Sequence, residues 1–179
     1  MYKDKINCDF LLLHHTLSKP SVKIESVVSS ADCAEARHIF KEYADSLQVD
    51  LCFQNFDIEL AMLPGEYVEP RGALFLARVD GQIAGCCALR ALEGTDHTNA
   101  AEMKRLYVRP AFRGMGLGRQ LTQAILDFAL TAGYSCVLLD TLDDMESARA
   151  LYVDLGFSDI PPYYHNPIPG AHYLKVSIP

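Results

Sequence analysis

The order of elements predicted between residues 101 and 140 constrains the fold more than any other feature. Residues 101–108 read as a strand closed by Pro110. The segment RPAFRGMGLGRQL (109–121) then sets Gly114, Gly116 and Gly118 at alternate positions at the mouth of a helix. Leu117, Leu121, Ile125, Phe128 and Ala132 fall on one face of that helix, and Gly133 is its natural stop. Residues 135–140 follow as a nearly continuous apolar run, the pattern of a strand buried on both faces. Strand, helix and strand in this order require a parallel crossover. Just upstream, apolar runs at 73–79 and 82–90 flank Asp80-Gly81, a strong hairpin signal that requires antiparallel pairing. One chain carrying both demands a mixed sheet, and the fold class is α+β.

The remaining segments fit around that sheet. Residues 22–28 read as a first strand, and Ser29 or Ser30 caps a helix with Cys33, Ala36, Phe40, Tyr43 and Leu47 at helical spacing. A second helix carries Phe53, Phe56, Leu60 and Leu63 and stops at Pro64-Gly65. A later helix over 145–155 presents Ala148, Leu151, Tyr152 and Leu155 and stops at Gly156. A proline-rich stretch then leads into a last strand at 171–177. The alternation of strand 101–108 is untidy, with Glu102 and Lys104 in phase with Leu106 and Val108. There are no internal repeats or linkers, so the expected organisation is an N-terminal arm (1–21) and a single domain (22–179).

Half of the 179 residues are apolar, enough for a sizeable core, and the net charge of −7 argues against general nucleic-acid binding. Locally the sign reverses: Lys104, Arg105, Arg109, Arg113 and Arg119 fall in one stretch without an acid. The six cysteines (8, 33, 52, 86, 87, 136) form no CxxC and read as reduced thiols, and His14-His15 lacks partners at metal spacing, so no metal is expected. The apolar run 10–13 is too short for a signal segment, and no stretch nears the ~20 residues that span a bilayer. A cytoplasmic protein without membrane contact is expected.

Glycine at a helix start costs about 1 kcal/mol against alanine, so three of them need a reason. Such a start exposes backbone N–H groups and the positive end of the helix dipole, which attract anions. A Walker loop needs GxxxxGK[ST], and no lysine follows these glycines. A dinucleotide fingerprint needs GxGxxG in a first βα unit; here the spacing is GxGxG, after a hairpin. The third reading is RxxGxG, Arg113 to Gly118, with backbone amides facing a pyrophosphate and Arg113 and Arg119 adding charge-assisted bonds. The plain alternative is a tight turn with a basic rim.

The segments EMKRLYVRPAFRGMGLGRQL (102–121) and ARALYVDLGF (148–157) together resemble the GNAT superfamily of acetyl-CoA-dependent N-acetyltransferases. The resemblance runs from about residue 22 to the end of the chain. It implies a mostly antiparallel mixed sheet, flanked by helices, in which two parallel strands splay apart. It places the pantetheine arm in that gap, paired with the backbone of Leu106, Tyr107 and Val108. The pyrophosphate is implied on Arg113, Gly114, Met115, Gly116, Leu117 and Gly118, with Arg119 nearby. Met145 stands where the family often has a cofactor-contacting asparagine, and it can pack against the pantetheine.

The reaction implied is acetyl transfer from acetyl-CoA to a primary amine of a small molecule or peptide, by direct attack in a ternary complex. A lysine-like amine is well under about 1% neutral at pH 7, so a base must take its proton. Glu102 matches a glutamate that some family members carry on this strand; the plain alternative is a carboxylate paired with Lys104 or Arg90. The amide of Leu106 or Tyr107 is implied as the oxyanion donor. Tyr152 matches the family's tyrosine that protonates the leaving thiolate, a core tyrosine being the alternative. The acceptor pocket is implied to lie among residues 51–72, the strand around Arg90 and PPYYHNP (161–167). There Arg71 or Arg90 would hold a substrate carboxylate, and Tyr163, Tyr164 and His165 would line the walls. Rival functions are a non-catalytic acyl-CoA sensor and a nucleotide-binding regulator. The oligomeric state is open, with a homodimer among the alternatives.

Overall fold

A computed structural model describes residues 19–47 and 55–179. Most of the expected N-terminal arm, with Cys8 and His14-His15, lies outside the described residues, as do Cys52 and Phe53. The described elements are β1 (Val22–Ser26), α1 (Ser30–Leu47), α2 (Phe56–Met62), β2 (Ala73–Val79), β3 (Gln82–Leu92), β4 (Ala100–Val108), α3 (Leu117–Thr131), β5 (Cys136–Leu142), α4 (Glu146–Asp154), β6 (Ser158–Ile160) and β7 (Ala171–Ser177). The seven strands form one sheet in the order β1-β2-β3-β4-β5-β7-β6. Only β4 and β5 pair in parallel; the other neighbours are antiparallel. The expected α+β mixed sheet is what the chain forms. No helix among the described residues is long and apolar enough to cross a membrane.

Local chemistry explains the boundaries. Ser29 accepts the Asp32 N–H (3.0 Å) while Asp32 accepts the Ser29 N–H (3.2 Å), a reciprocal cap that starts α1. Asp80 and Gly81 both take positive φ (48° and 81°), the geometry of a tight hairpin turn. The first strand ends at Ser26, short of the expected 28, and Val28 is exposed. The buried stripe of α3 is Leu117, Leu121, Ile125 and Ala129; Ala132 lies past the helix end as its cap and is exposed. The three-residue β6 is too short to show an alternation.

Two layers of helix sandwich the sheet. Leu117, Leu121 and Ile125 of α3 pack with Ala101, Met103, Val137 and Leu139 on one face. Ile39 and Phe40 of α1 and Phe56 of α2 pack with Leu74, Leu76, Cys86 and Ala88 on the other.

Strand β4 serves both layers through a bulge. Ala88 pairs with Lys104 but Cys86 pairs with Tyr107, so Arg105 and Leu106 together oppose the single residue Cys87. Arg105 takes φ 60°, the left-handed conformation that lets one strand carry an extra residue. The side-chain phase therefore reverses. Glu102 and Lys104 point away from the α3 layer, whereas Leu106 and Val108 pack against it and Tyr107 packs towards α1. This reversal accounts for the untidy alternation in the sequence.

Beside the bulge the sheet opens. The parallel pairing of β4 and β5 stops after Ala100↔Cys136, Ala101↔Val137 and Glu102↔Leu138, although both strands continue. A cleft forms where they part.

Candidate active site

The cleft is walled by Lys104, Arg105 and Leu106 from β4, Asp140 and Thr141 from β5, Met145 and Tyr152 around α4, and Tyr43 from α1. Asn166, on the segment before β7, completes it. Tyr152 is 5% exposed, and its ring rests on Phe157 at 5.6 Å between centroids. Its hydroxyl has no hydrogen-bond partner among the described residues, and burial pushes its pKa well up. The hydroxyl therefore keeps its proton near neutral pH. Met145 caps the start of α4, and its sulfur accepts the Thr141 hydroxyl at 3.5 Å.

Behind the cleft lies a buried ion cluster. Glu102 is 2% exposed. Its Oε2 accepts from Nε of Arg90 (2.9 Å) and lies 2.9 Å from Nη2 of the same guanidinium, and its Oε1 accepts from the Tyr163 hydroxyl (3.0 Å) and Lys104 Nζ (3.4 Å). Burial pushes the Glu102 carboxyl up, but the charges of Lys104 and Arg90 and the bonds from Arg90 and Tyr163 outweigh it and hold it below the usual carboxylate range. Glu102 does not line the cleft. Of the two readings the sequence left open, the paired carboxylate is the arrangement present, and its lone pairs are already engaged. Asp140, by contrast, faces the cleft. Its Oδ2 accepts from Tyr164 (2.8 Å) and Asn166 (3.2 Å), and its Oδ1 stands 4.0 Å from Lys104 Nζ.

A second buried pair pins α2 to the bulge. Arg105 donates from Nε (2.9 Å) and Nη2 (2.6 Å) to the two oxygens of Glu59, and its guanidinium lies 5.1 Å over the Phe56 ring. Tyr67 donates to the same Glu59 carboxylate at 2.9 Å.

The glycine turn separates into two kinds of position. Gly114 and Gly116 take φ 79° and 74°, conformations that disfavour any side chain. Gly118 does not: a Cβ there would meet only Leu151, at an ordinary 3.5 Å. Neither backbone strain nor packing within the chain requires glycine at 118, so close approach of a ligand is the remaining use. The first bond of α3 runs from the Gln120 N–H to the Gly116 carbonyl. The N–H groups of Leu117, Gly118 and Arg119 thus lack intrahelical partners and face outward at the positive end of the helix. A pyrophosphate fits this cradle. Arg113 folds its Nε onto the Val108 carbonyl (3.1 Å), and Arg119 pairs with Asp154, tying α3 to α4.

The other expected residues divide. Leu106 lines the cleft, Tyr107 stacks on Tyr43 (5.9 Å) and Val108 packs under α3. Tyr163, Tyr164 and Arg90 gather around the two carboxylates. Arg71 is not brought there. It stacks on Tyr134 (5.4 Å), which stands just before β5 at the closed end of the β4–β5 pair. Asp140, Asn166 and the Arg105–Glu59 pair are new from the structure. A signal for Asp140 exists in the sequence, since it is a carboxylate near the carboxyl end of an apolar strand, and ligands gather at the carboxyl ends of parallel strands. Among the described residues, no His/Cys/Asp/Glu group is placed to hold a metal.

Comparison with known proteins agrees with this geometry. The model of the acetyltransferase (GNAT) family matches residues 35–157. An uncharacterized N-acetyltransferase of Schizosaccharomyces pombe is 39% identical over 164 residues, covering 90% of this chain and 99% of that protein. The N-acetylaspartate synthetase of Rattus norvegicus is 34% identical over 113 residues, covering 63% of this chain and 37% of that one. Among solved structures, an acetyltransferase of the GNAT family from Staphylococcus aureus superposes with a TM-score of 0.72 at 17% identity, covering 89% of this chain and all (100%) of that one. A putative acetyltransferase from Salmonella typhimurium, solved with its cofactor acetyl-CoA, gives 0.62 at 20% identity, covering 88% and 94%.

Proposed function

The chain belongs to the GNAT acetyltransferase family, and from that premise we propose that it moves the acetyl group of acetyl-CoA to a primary amine of a small molecule or peptide, by direct attack within a ternary complex. The observation that carries this reading is the pairing of the open β4–β5 cleft with a buried Tyr152 hydroxyl on its wall that has no hydrogen-bond partner among the described residues. When bound, acetyl-CoA supplies an activated acyl carbon and a thiolate leaving group.

The residues divide the work as follows. The free N–H groups of Leu117, Gly118 and Arg119, with Gly114, Met115 and Gly116 shaping the turn, hold the pyrophosphate at the mouth of α3. Leu106, Tyr107 and Val108 present backbone beyond the last parallel rung, where β4 has no partner strand on its β5 side, and hold the pantetheine. An N–H of Leu106 or Tyr107 donates to the acyl oxygen as negative charge collects there. Tyr152 returns a proton to the sulfur, for which its raised pKa suits it. Glu102 fixes Arg90, Lys104 and Tyr163 in place. Met145 packs beside the pantetheine.

The acceptor panel begins with L-aspartate, because the N-acetylaspartate synthetases are among the relatives. Other members are L-glutamate, β-alanine, spermidine and a short peptide with a free N-terminus. Thiol release from acetyl-CoA that depends on one of these amines supports the reading. Binding of acetyl-CoA with no release across the panel would leave an acyl-CoA sensor instead.

A further inference from the structure

Two carboxylates lie near the reacting centre, and their surroundings differ. Glu102 is 2% exposed, has both oxygens engaged and is absent from the cleft wall. Asp140 stands on the wall, and its side chain is 15% exposed. Tyr164 and Asn166 hold its Oδ2, whereas its Oδ1 makes no hydrogen bond among the described residues and lies 4.0 Å from Lys104 Nζ. Its strand carries it past Leu138, the last residue paired with β4, to the point where the strands part. Tyr152 shares the same cleft. We propose that Asp140, not Glu102, takes the proton from the acceptor amine. This assignment rests on the acetyl-transfer reading above.

The electrostatics of the wall support the assignment. The groups facing Asp140 are Lys104 from β4, Tyr43 from α1, Tyr152 from α4, Tyr163 and Tyr164 from the segment before β7, and Tyr173 opposite it on β7. Of these, Lys104 alone carries a charge near neutral pH; burial pushes the tyrosines up. Lys104 is shared between the Glu102 and Asp140 carboxylates, and Asp140 Oδ1 is the carboxylate oxygen on the cleft wall that makes no hydrogen bond among the described residues and can take a proton from an entering amine. The proton passes from the amine nitrogen to Oδ1, and the freed electron pair forms the C–N bond to the acyl carbon. The C–S bond then breaks with its pair on sulfur, which takes the Tyr152 proton. The second proton leaves the nitrogen and restores Tyr152, and Asp140 gives its proton to solvent. One proton is released for each acetyl group moved.

The test measures thiol release from acetyl-CoA between pH 6 and 9, with the panel amine that the wild type uses best. Asp140→Asn should lower kcat roughly 100-fold at pH 7, with the loss shrinking as pH rises and the amine deprotonates itself. Its melting temperature and affinity for acetyl-CoA should match the wild type. Asp140→Glu should recover part of the rate. Glu102→Gln should lower kcat by the same factor at every pH. Tyr164→Phe removes a donor to the Asp140 carboxylate and should move the acidic limb of the profile upward; it decides the matter if Asp140→Asn does not fold. Wild-type kcat in Asp140→Asn, a loss independent of pH, or an unmoved limb in Tyr164→Phe would overturn the assignment while leaving acetyl transfer intact. No thiol release by the wild type with any amine would bring down both.

Discussion

Truncating Glu59 to alanine should show how firmly α2 is held against the β4 bulge. The pair it breaks is interior: the Arg105 side chain is 3% exposed and that of Glu59 15%. Loss of the carboxylate strands a guanidinium that now makes two bonds to it, and it also strands the hydroxyl of Tyr67, itself 3% exposed. An exposed ion pair contributes about 0–1 kcal/mol. Breaking a buried one by removing a single partner costs roughly 3–5 kcal/mol, because the remaining charge is left uncompensated. With a urea slope of about 2 kcal/mol/M, the midpoint should fall by roughly 2 M. The same measurement on Glu59→Ala/Arg105→Met removes both charges and leaves the left-handed backbone at 105 in place, so that strain cancels in the comparison. The double variant should be more stable than Glu59→Ala alone. A shift in Glu59→Ala below about 0.5 M, the range of a surface pair, would refute the argument. So would a double variant as unstable as the sum of its parts.

Other outcomes follow from the same geometry. Gly118→Ala should leave the fold as stable as before or more so, by up to about 1 kcal/mol, while weakening coenzyme binding measured by calorimetry. Tyr152→Phe should slow thiol release by about 10²-fold and leave the Kd for acetyl-CoA nearly unchanged, as read by single-turnover kinetics and calorimetry. The Glu102 carboxyl is held below its unfolded value, so its contribution to stability is complete above the ordinary carboxylate range and lost as pH falls through the folded value. The gap in urea midpoint between the wild type and Glu102→Gln should therefore be wide at pH 7 and narrow as pH falls below 4.

Much of this was legible in the sequence, for identifiable reasons. The Asp80-Gly81 turn, the Ser29 cap and the glycine stops at 133 and 156 act through local backbone chemistry, so β2, α1 and the ends of α3 and α4 could be placed. The glycine turn stood out because three glycines flanked by two arginines gather at a helix start. The surroundings of Glu102 were not legible. Whether Glu102 meets an amine or a set of cations depends on Arg90, Lys104 and Tyr163 arriving from three elements, and no local pattern encodes that meeting. Arg71 misled for the matching reason. It is a cation in a plausible segment, but the closed end of β4–β5 claims it through Tyr134.

The extra residue in β4 has one more consequence. With Arg105 deleted, the strand would alternate evenly and pair more regularly with β3, a better sheet by any local measure. Leu106 and Val108 would keep facing α3 and Tyr107 would keep facing α1, but the Glu59 carboxylate would lose its cation. Loss of that one residue could thus yield a protein that still folds as a sheet yet leaves α2 without the buried ion pair that pins it. The irregularity is what seats a cation against α2 without disturbing the faces of the residues that flank it.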